Sequence, residues 1–260
     1  MGWNIFPVWV AIVMMLATAG AVIAALGKSR NVWATALMSL AILGMAGFIA
    51  MLWTVLERPP LRTMGETRLW YSFFLLIAGL FTYYRWEYRW IMLFSTMLAG
   101  VFVVINIVKP EIHDQSLMPA LQSVWFVPHV SVYMFSYSLL GCATLLSVAA
   151  LVRRRLDLDF AIERLVYAGL AFLSVGMLTG SLWAKEAWGA YWSWDPKESW
   201  AVATWALYLI ALHLAPSVMN TKRRWLYHSA VVLGFLALQM CWYGINYLPS
   251  AETSIHTYNQ

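Results

Sequence analysis

Eight long apolar runs, separated by short polar stretches, fill most of this chain and limit its fold more than any motif does. They are Phe6–Leu26, Val32–Leu56, Leu69–Tyr84, Trp90–Val108, Val130–Val152, Ala161–Trp183, Ser199–Ala215 and Trp225–Tyr247. A helix crosses bilayer hydrocarbon with about 20 mostly apolar residues, and there the backbone must satisfy its own hydrogen bonds. The third and seventh runs are short; they borrow flanking residues or sit where the protein thins the bilayer. The expected fold is all-α, a polytopic membrane helix bundle of about eight transmembrane helices. It forms a single integral membrane domain over residues 1–260. Composition agrees, at 62% hydrophobic and 11% charged, against about 45–50% and about 25% in soluble domains. No Lys or Arg precedes the first run, so it lacks the basic start of a signal peptide and is expected to remain as the first span.

Lysines and arginines collect in alternate loops. Lys28, Arg30, Arg85, Arg89, Arg153, Arg154, Arg155, Arg164, Lys222, Arg223 and Arg224 fall on one side; Arg58, Arg62, Arg68, Lys109, Lys185 and Lys197 fall on the other. Basic loops stay cytoplasmic. Both termini are therefore expected outside the cytoplasm, together with the loop Lys109–His129 and the tail Leu248–Gln260. Pro59-Pro60 breaks the chain after the second run, which makes ERPPLRTMGETR an outer loop or interfacial turn. The net charge of +5 is scattered between apolar runs and does not signal nucleic acid. Length and loop pattern suggest a bacterial plasma (inner) membrane with a periplasmic or extracellular working face, ahead of a thylakoid. Cys142 and Cys241 lie far apart with no metal-type spacing and are read as small packing residues.

Between the sixth and seventh runs the chain reads WAKEAWGAYWSWDPKESWAVATW, residues 183–205, with six of the sixteen tryptophans. Aromatic faces with polar edges, beside Lys185 and Lys197, suit a flat ligand with acidic substituents. An interfacial aromatic belt is the plainer reading, although a belt needs fewer rings. Asp195 and Glu198, flanking Pro196 at a helix start, read as caps rather than as an acid–base pair. No nucleophile with a base in register, no phosphate loop and no HExxH is present, so hydrolase and nucleotide chemistry are unsupported.

The five histidines sort by position. His129, after Pro128, and His256, in the tail, flank the tryptophan-rich segment on its own side. There they suit metal ligation as well as ordinary solvated or hydrogen-bonded roles. His213 lies within the seventh run, where an ionisable group tends to be functional; ligation, proton transfer and a helix–helix hydrogen bond all remain open. His228, after KRRWLY, reads as interfacial. His113, beside Asp114, reads as solvated.

WGAYWSWDPKESWA resembles the tryptophan-rich WWD signature of haem-handling membrane proteins, and its DPKE ending resembles the CcsA/ResC branch of system II cytochrome c biogenesis. LQSVWFVPHVSVYMFSYSLL, YLIALHL and YGINYLPSAETSIHTY have counterparts in that family in the same order. The resemblance covers roughly Leu121–Gln260, whereas PPLRTMGETRLWYSFF matches only loosely. The stretch from Tyr247 to His256 is longer than the family form.

The resemblance implies that His129 and His256 are external axial ligands of haem iron. It makes His213 a ligand for haem within the membrane, its second imidazole coming from a CcsB/ResB-like membrane subunit. Trp183, Trp188, Trp192, Trp194, Asp195 and Trp200, in the WWD segment 183–200, would form the haem surface. Lys185 or Lys197 would meet the propionates. The cofactor or substrate would be haem b, and the partners that subunit, apocytochrome c and the bilayer. The function implied is delivery of haem to the outer face and its thioether attachment to CxxCH motifs, as a subunit of a haem-lyase type cytochrome c synthase. A haem exporter or holder without ligation, a small-molecule transporter and a membrane b-type cytochrome are the rivals.

Overall fold

The computed structural model describes residues 2–27, 30–113, 119–153, 158–216 and 224–249. Eight α-helices follow in order: α1 (Phe6–Leu26), α2 (Val32–Leu56), α3 (Met64–Trp86), α4 (Ile91–Val108), α5 (Phe126–Arg153), α6 (Asp159–Trp188), α7 (Pro196–His213) and α8 (Arg224–Trp242). Single 3-10 turns occupy Gly2–Ile5, Pro110–His113, Pro119–Gln122 and Gly244–Tyr247. Among the described residues there is no strand.

The all-α membrane bundle is therefore as expected, with a refinement in the spans. Six helical segments are long and apolar enough to cross a membrane: Gly2–Leu26, Val32–Leu56, Ile91–Val108, Phe126–Arg153, Asp159–Trp188 and Arg224–Trp242. The two that fall outside are α3 and α7, the helices of the two short runs. Each carries charged residues near its start, Glu66 and Arg68 in α3 and Lys197 and Glu198 in α7.

Two compact units divide the chain, Met1–Ser116 and Leu117–Gln260. In the first, α1 packs on α2 and α4, and α3 packs on α2 and α4. Side chains rivet these contacts to backbone: Trp9 Nε1 donates to Gly44 O of α2 at 2.8 Å, and Asn106 Nδ2 of α4 donates to Gly65 O at 3.0 Å. Close packing and hydrogen bonds hold helices together where lipid removes the hydrophobic drive. His113 is not the solvated residue expected. It is half-buried, stacked face to face on Trp3 with ring centres 3.7 Å apart.

The proline loop before α3 is organised by one carboxylate. Thr63 caps the helix, its hydroxyl accepting from Glu66 N at 3.2 Å, while Glu66 Oε2 accepts from Thr63 N at 3.2 Å. The same oxygen accepts from Arg62 N at 2.7 Å, and the Arg58 guanidinium clamps both carboxylate oxygens at 2.9 and 2.8 Å. Trp70 Nε1 donates to Pro60 O at 2.8 Å and closes the loop from the other side. Glu66 is completely buried. This capping box starts α3 five residues ahead of the apolar run, which begins at Leu69.

In the second unit, α5 packs on α6 and α8, and α7 packs on the same two helices, so the four close into a ring. Ser136 Oγ of α5 donates to Gly169 O of α6 at 2.7 Å, and Trp205 Nε1 of α7 donates to Ser174 Oγ of α6 at 2.9 Å.

Removing one member of a buried ion pair strands its partner and costs about 3–5 kcal/mol. Glu66→Gln and Arg58→Ala are each expected to lower the thermal unfolding midpoint of the purified protein. The double variant should lose less than the sum, because both changes break one interaction. Additive losses would dissolve the pair.

Candidate functional site

Helix α6 runs past the end of the sixth apolar run, so the first part of the tryptophan-rich segment is helical. It stops at Gly189, whose φ of +83° is left-handed and open to glycine, and whose N–H returns to Lys185 O at 3.0 Å. Lys185 turns onto this helix end, donating to Gly189 O at 2.7 Å and standing 5.4 Å over the Tyr191 ring.

Residues 190–195 form a short return into α7. Asp195 is the N-cap and accepts from Lys197 N at 2.8 Å. Glu198 closes the box, with Oε2 accepting from Asp195 N at 3.1 Å and from Ser193 N at 2.8 Å. The acids therefore cap the helix, as their spacing predicts. Both are buried. Lys197 precedes the seventh apolar run, and burial pulls its ammonium below the ordinary lysine value while Cys241 and Asp195 act in the opposite direction. Cys241 of α8 donates to Lys197 O at 3.4 Å, which joins the loop to that helix.

The tryptophans fall into two groups. Trp183 and Trp188 meet edge to face at 4.7 Å on the α6 end. Trp192 and Trp194 meet edge to face at 5.8 Å in the loop. Trp194 is 69% exposed and has a φ of +59°, a conformation costly for a bulky side chain. Trp200 is half-buried on α7.

His129 belongs with the first group. Its ring stacks on Trp183 at 5.4 Å and 25°, and leans on Tyr133 at 4.5 Å. Trp183 is itself fixed, donating Nε1 to Ala120 O at 2.7 Å and meeting Phe126 edge to face at 5.1 Å. His129 Nδ1 lies 2.8 Å from Gly176 O. A carbonyl can only accept, so Nδ1 carries the proton and the lone pair is on Nε2.

Two glycines of α6 make this seat. A Cβ on Gly180 would stand 2.7 Å from His129 Cε1 and Nδ1, and one on Gly176 would stand 2.2 Å from the Tyr133 ring. His129, Tyr133 and Tyr137 lie one turn apart along one face of α5; Tyr133 stacks on Tyr137 at 5.5 Å, and Tyr137 meets Trp242 of α8 at 5.8 Å.

Of the residues read as a site, the structure brings His129, Trp183 and Trp188 together and places Asp195, Lys197 and Trp200 at the start of α7. His213 is the exposed last residue of α7, about 27 Å along the helix from Asp195 at 1.5 Å per residue. His256 lies outside the described residues. Tyr133, Tyr137, Gly176 and Gly180 are additions; their four-residue spacings were the available signal. Among the described residues no three His, Cys, Asp or Glu side chains gather as a metal site. Iron carried in a porphyrin asks only for axial ligands, and an imidazole with its tautomer fixed against an indole face fits that requirement.

The profile of the family described as cytochrome C assembly protein matches residues 61–251. Similar proteins include "Cytochrome c biogenesis protein CcsA" of Pelargonium hortorum, 31% identical over 82% of this chain and 81% of that one. The protein of that name in Cuscuta reflexa is 30% identical over 80% of each chain, and that of Nymphaea alba is 30% identical over 82% and 81%. Among solved structures, "Cytochrome c Heme Lyase CcmF" shares the fold, with TM-score 0.71 at 19% identity over 93% of this chain. The chain spans 46% of that protein's length. These relatives overturn the expected bacterial plasma membrane and the lower place given to a thylakoid, because they are plant CcsA proteins. Loop charge and length report insertion and orientation, which different membranes share; they carry no address.

Glu198→Ala removes the acceptor for two loop amides. The loss should be about 1–2 kcal/mol, so that the amides of Ser193 and Asp195 exchange with deuterium roughly 5–30-fold faster. The amide of Gly189, held by Lys185 O, should keep its rate. Uniform exchange across the loop would show that Glu198 does not hold it.

Proposed function

The chain belongs to the cytochrome c assembly protein family, and on that premise we propose that it binds haem, conveys it across the membrane and presents it for attachment to apocytochrome c. The proposed orientation puts both termini and the tryptophan-rich loop on the face away from the basic clusters. The observation that carries the reading is the seat of His129, an imidazole held on three sides by Gly176, Gly180 and Trp183.

As substrate, haem supplies an iron that takes two axial imidazoles and two vinyl groups that accept thiols. His129 is proposed to offer Nε2 from one side of the ring, and His256 of the tail to offer the other imidazole. The Gly176 carbonyl keeps the proton on Nδ1, which leaves Nε2 basic and aimed by the ring's packing. Trp183, Trp188, Trp192, Trp194 and Trp200 would cover the apolar faces. Asp195 would hold the loop that carries two of them. Lys185 and Lys197 would meet the propionates, Lys185 exchanging its bond to Gly189 O for a carboxylate. In the attachment each CxxCH thiol adds across a vinyl double bond, breaking S–H and C=C π bonds and forming C–S and C–H bonds. No electrons are gained or lost overall. Such a reaction needs positioning more than a strong base, which agrees with acids used as caps. One histidine must then yield to the histidine of CxxCH.

His213 is proposed as the ligand of haem within the membrane, with a CcsB/ResB-like subunit giving the opposite imidazole. The synthase would then be the complex, and this chain its haem-presenting subunit.

The test is an absorption spectrum of the full chain, alone and co-expressed with a CcsB/ResB-like subunit, as isolated and after dithionite. Reduced bands of bis-imidazole haem should fade in His129→Ala and return in part with added imidazole. Gly180→Ala should cut haem retention about tenfold by displacing the ring, the size expected for an outer-shell change. No haem in either preparation, with folded protein, would overturn the reading.

A further inference from the structure

The end of the second unit farthest from the tryptophan-rich loop holds a buried polar layer that the haem reading does not use. Arg224, the first residue of α8, is ion-paired with Asp159, the first residue of α6. His228, one turn into α8, has Nε2 3.3 Å from the other oxygen of Asp159. Its ring leans on Tyr227 at 5.2 Å. Glu163, one turn into α6, is buried too and is an electrostatic neighbour of Tyr227. His228 is buried within the protein, 4% exposed.

Buried polar atoms at this end have hydrogen-bonding capacity to spare. Nδ1 of His228, the hydroxyl of the fully buried Tyr227 and the hydroxyl of Ser147 on α5 have no hydrogen-bond partner among the described residues. Ser147 lies about 9 Å from the α5 end, and His228 about 6 Å from the α8 start, at 1.5 Å per residue. Asp159 begins α6 six residues after α5 ends at Arg153 and pairs with the first residue of α8, and α5 packs on α8, so the three groups belong to the same end of the ring. A stranded buried donor or acceptor costs about 1–3 kcal/mol, and buried water is the usual remedy where two to four polar atoms converge. Charged residues in spans commonly face such water.

We propose that this layer is an internal hydration site, binding ordered water shared among Tyr227, His228 and Ser147 beneath the Asp159–Arg224 pair. Water there completes His228 at Nδ1 while Asp159 faces Nε2, so the imidazole bridges a carboxylate and solvent. The site stands independently of haem binding, and either can fail without the other.

Radiolytic hydroxyl-radical footprinting of the full chain in lipid nanodiscs, in oxygen-18 water, tests this directly. Radicals formed from bound water mark the side chains that touch it. Tyr227 should be modified several-fold faster than Tyr83, which is equally buried but whose hydroxyl is occupied, accepting from Asn31 N at 2.9 Å. Modification of His228 should fall in Tyr227→Phe, because one of the groups holding the water is gone. Tyr227 marked no faster than Tyr83 would mean a dry layer and overturn the proposal. Undiminished modification of His228 in Tyr227→Phe would remove Tyr227 from the site.

Discussion

A buried glutamate three residues into a helix does the same work in each half of this protein. Glu66 and Glu198 both accept the backbone N–H of their own N-cap residue and then reach further back to gather the loop that precedes the helix. The physical need is plain. A helix start leaves four N–H groups without partners, and a loop at the membrane surface cannot rely on water for all of its own. One carboxylate with four lone pairs meets both needs and offsets the helix dipole as well. In the first half the carboxylate also meets Arg58; in the second the loop it folds carries the half-buried Trp192 and the exposed Trp194.

The seat of His129 follows from a different economy, that of contact without a side chain. Where lipid takes away the drive to bury apolar surface, helices approach through small residues. On α6 those residues are Gly176 and Gly180, and the space they leave is filled by Tyr133 and His129 rather than by backbone. The same glycine that admits the tyrosine supplies the carbonyl that orients the imidazole. Packing and tautomer are set by one residue.

Much of this architecture was legible in advance. The apolar runs located all eight helices, and the proline and acid spacing at Asp195-Pro196 announced a helix start. The inside of the bundle was not legible in that way. Hydropathy reads Gly176 and Gly180 as ordinary members of an apolar run, and only the facing helix reveals that they form a socket. His228 has a partner that its local stretch does not name: KRRWLY looks like a membrane border, and Asp159, nearly seventy residues earlier, faces its ring. His113 was read from its neighbour Asp114, whereas its fate is decided by Trp3 at the other end of the unit. Residues paired across long separations carry no local mark. The histidine of the tail stays as the sequence left it, since His256 lies outside the described residues.

Trp194 carries a consequence of another kind. Its backbone is held in a left-handed conformation that glycine or asparagine would occupy more comfortably, while most of its indole faces outward. A position like this is a standing conflict between endurance and use. Drift unconstrained by the ring would carry it toward glycine, and the chain would gain stability by the change. That the largest side chain stands where the smallest fits best makes residue 194 a gauge of selection: its identity in a lineage would record whether that lineage still needs the ring displayed.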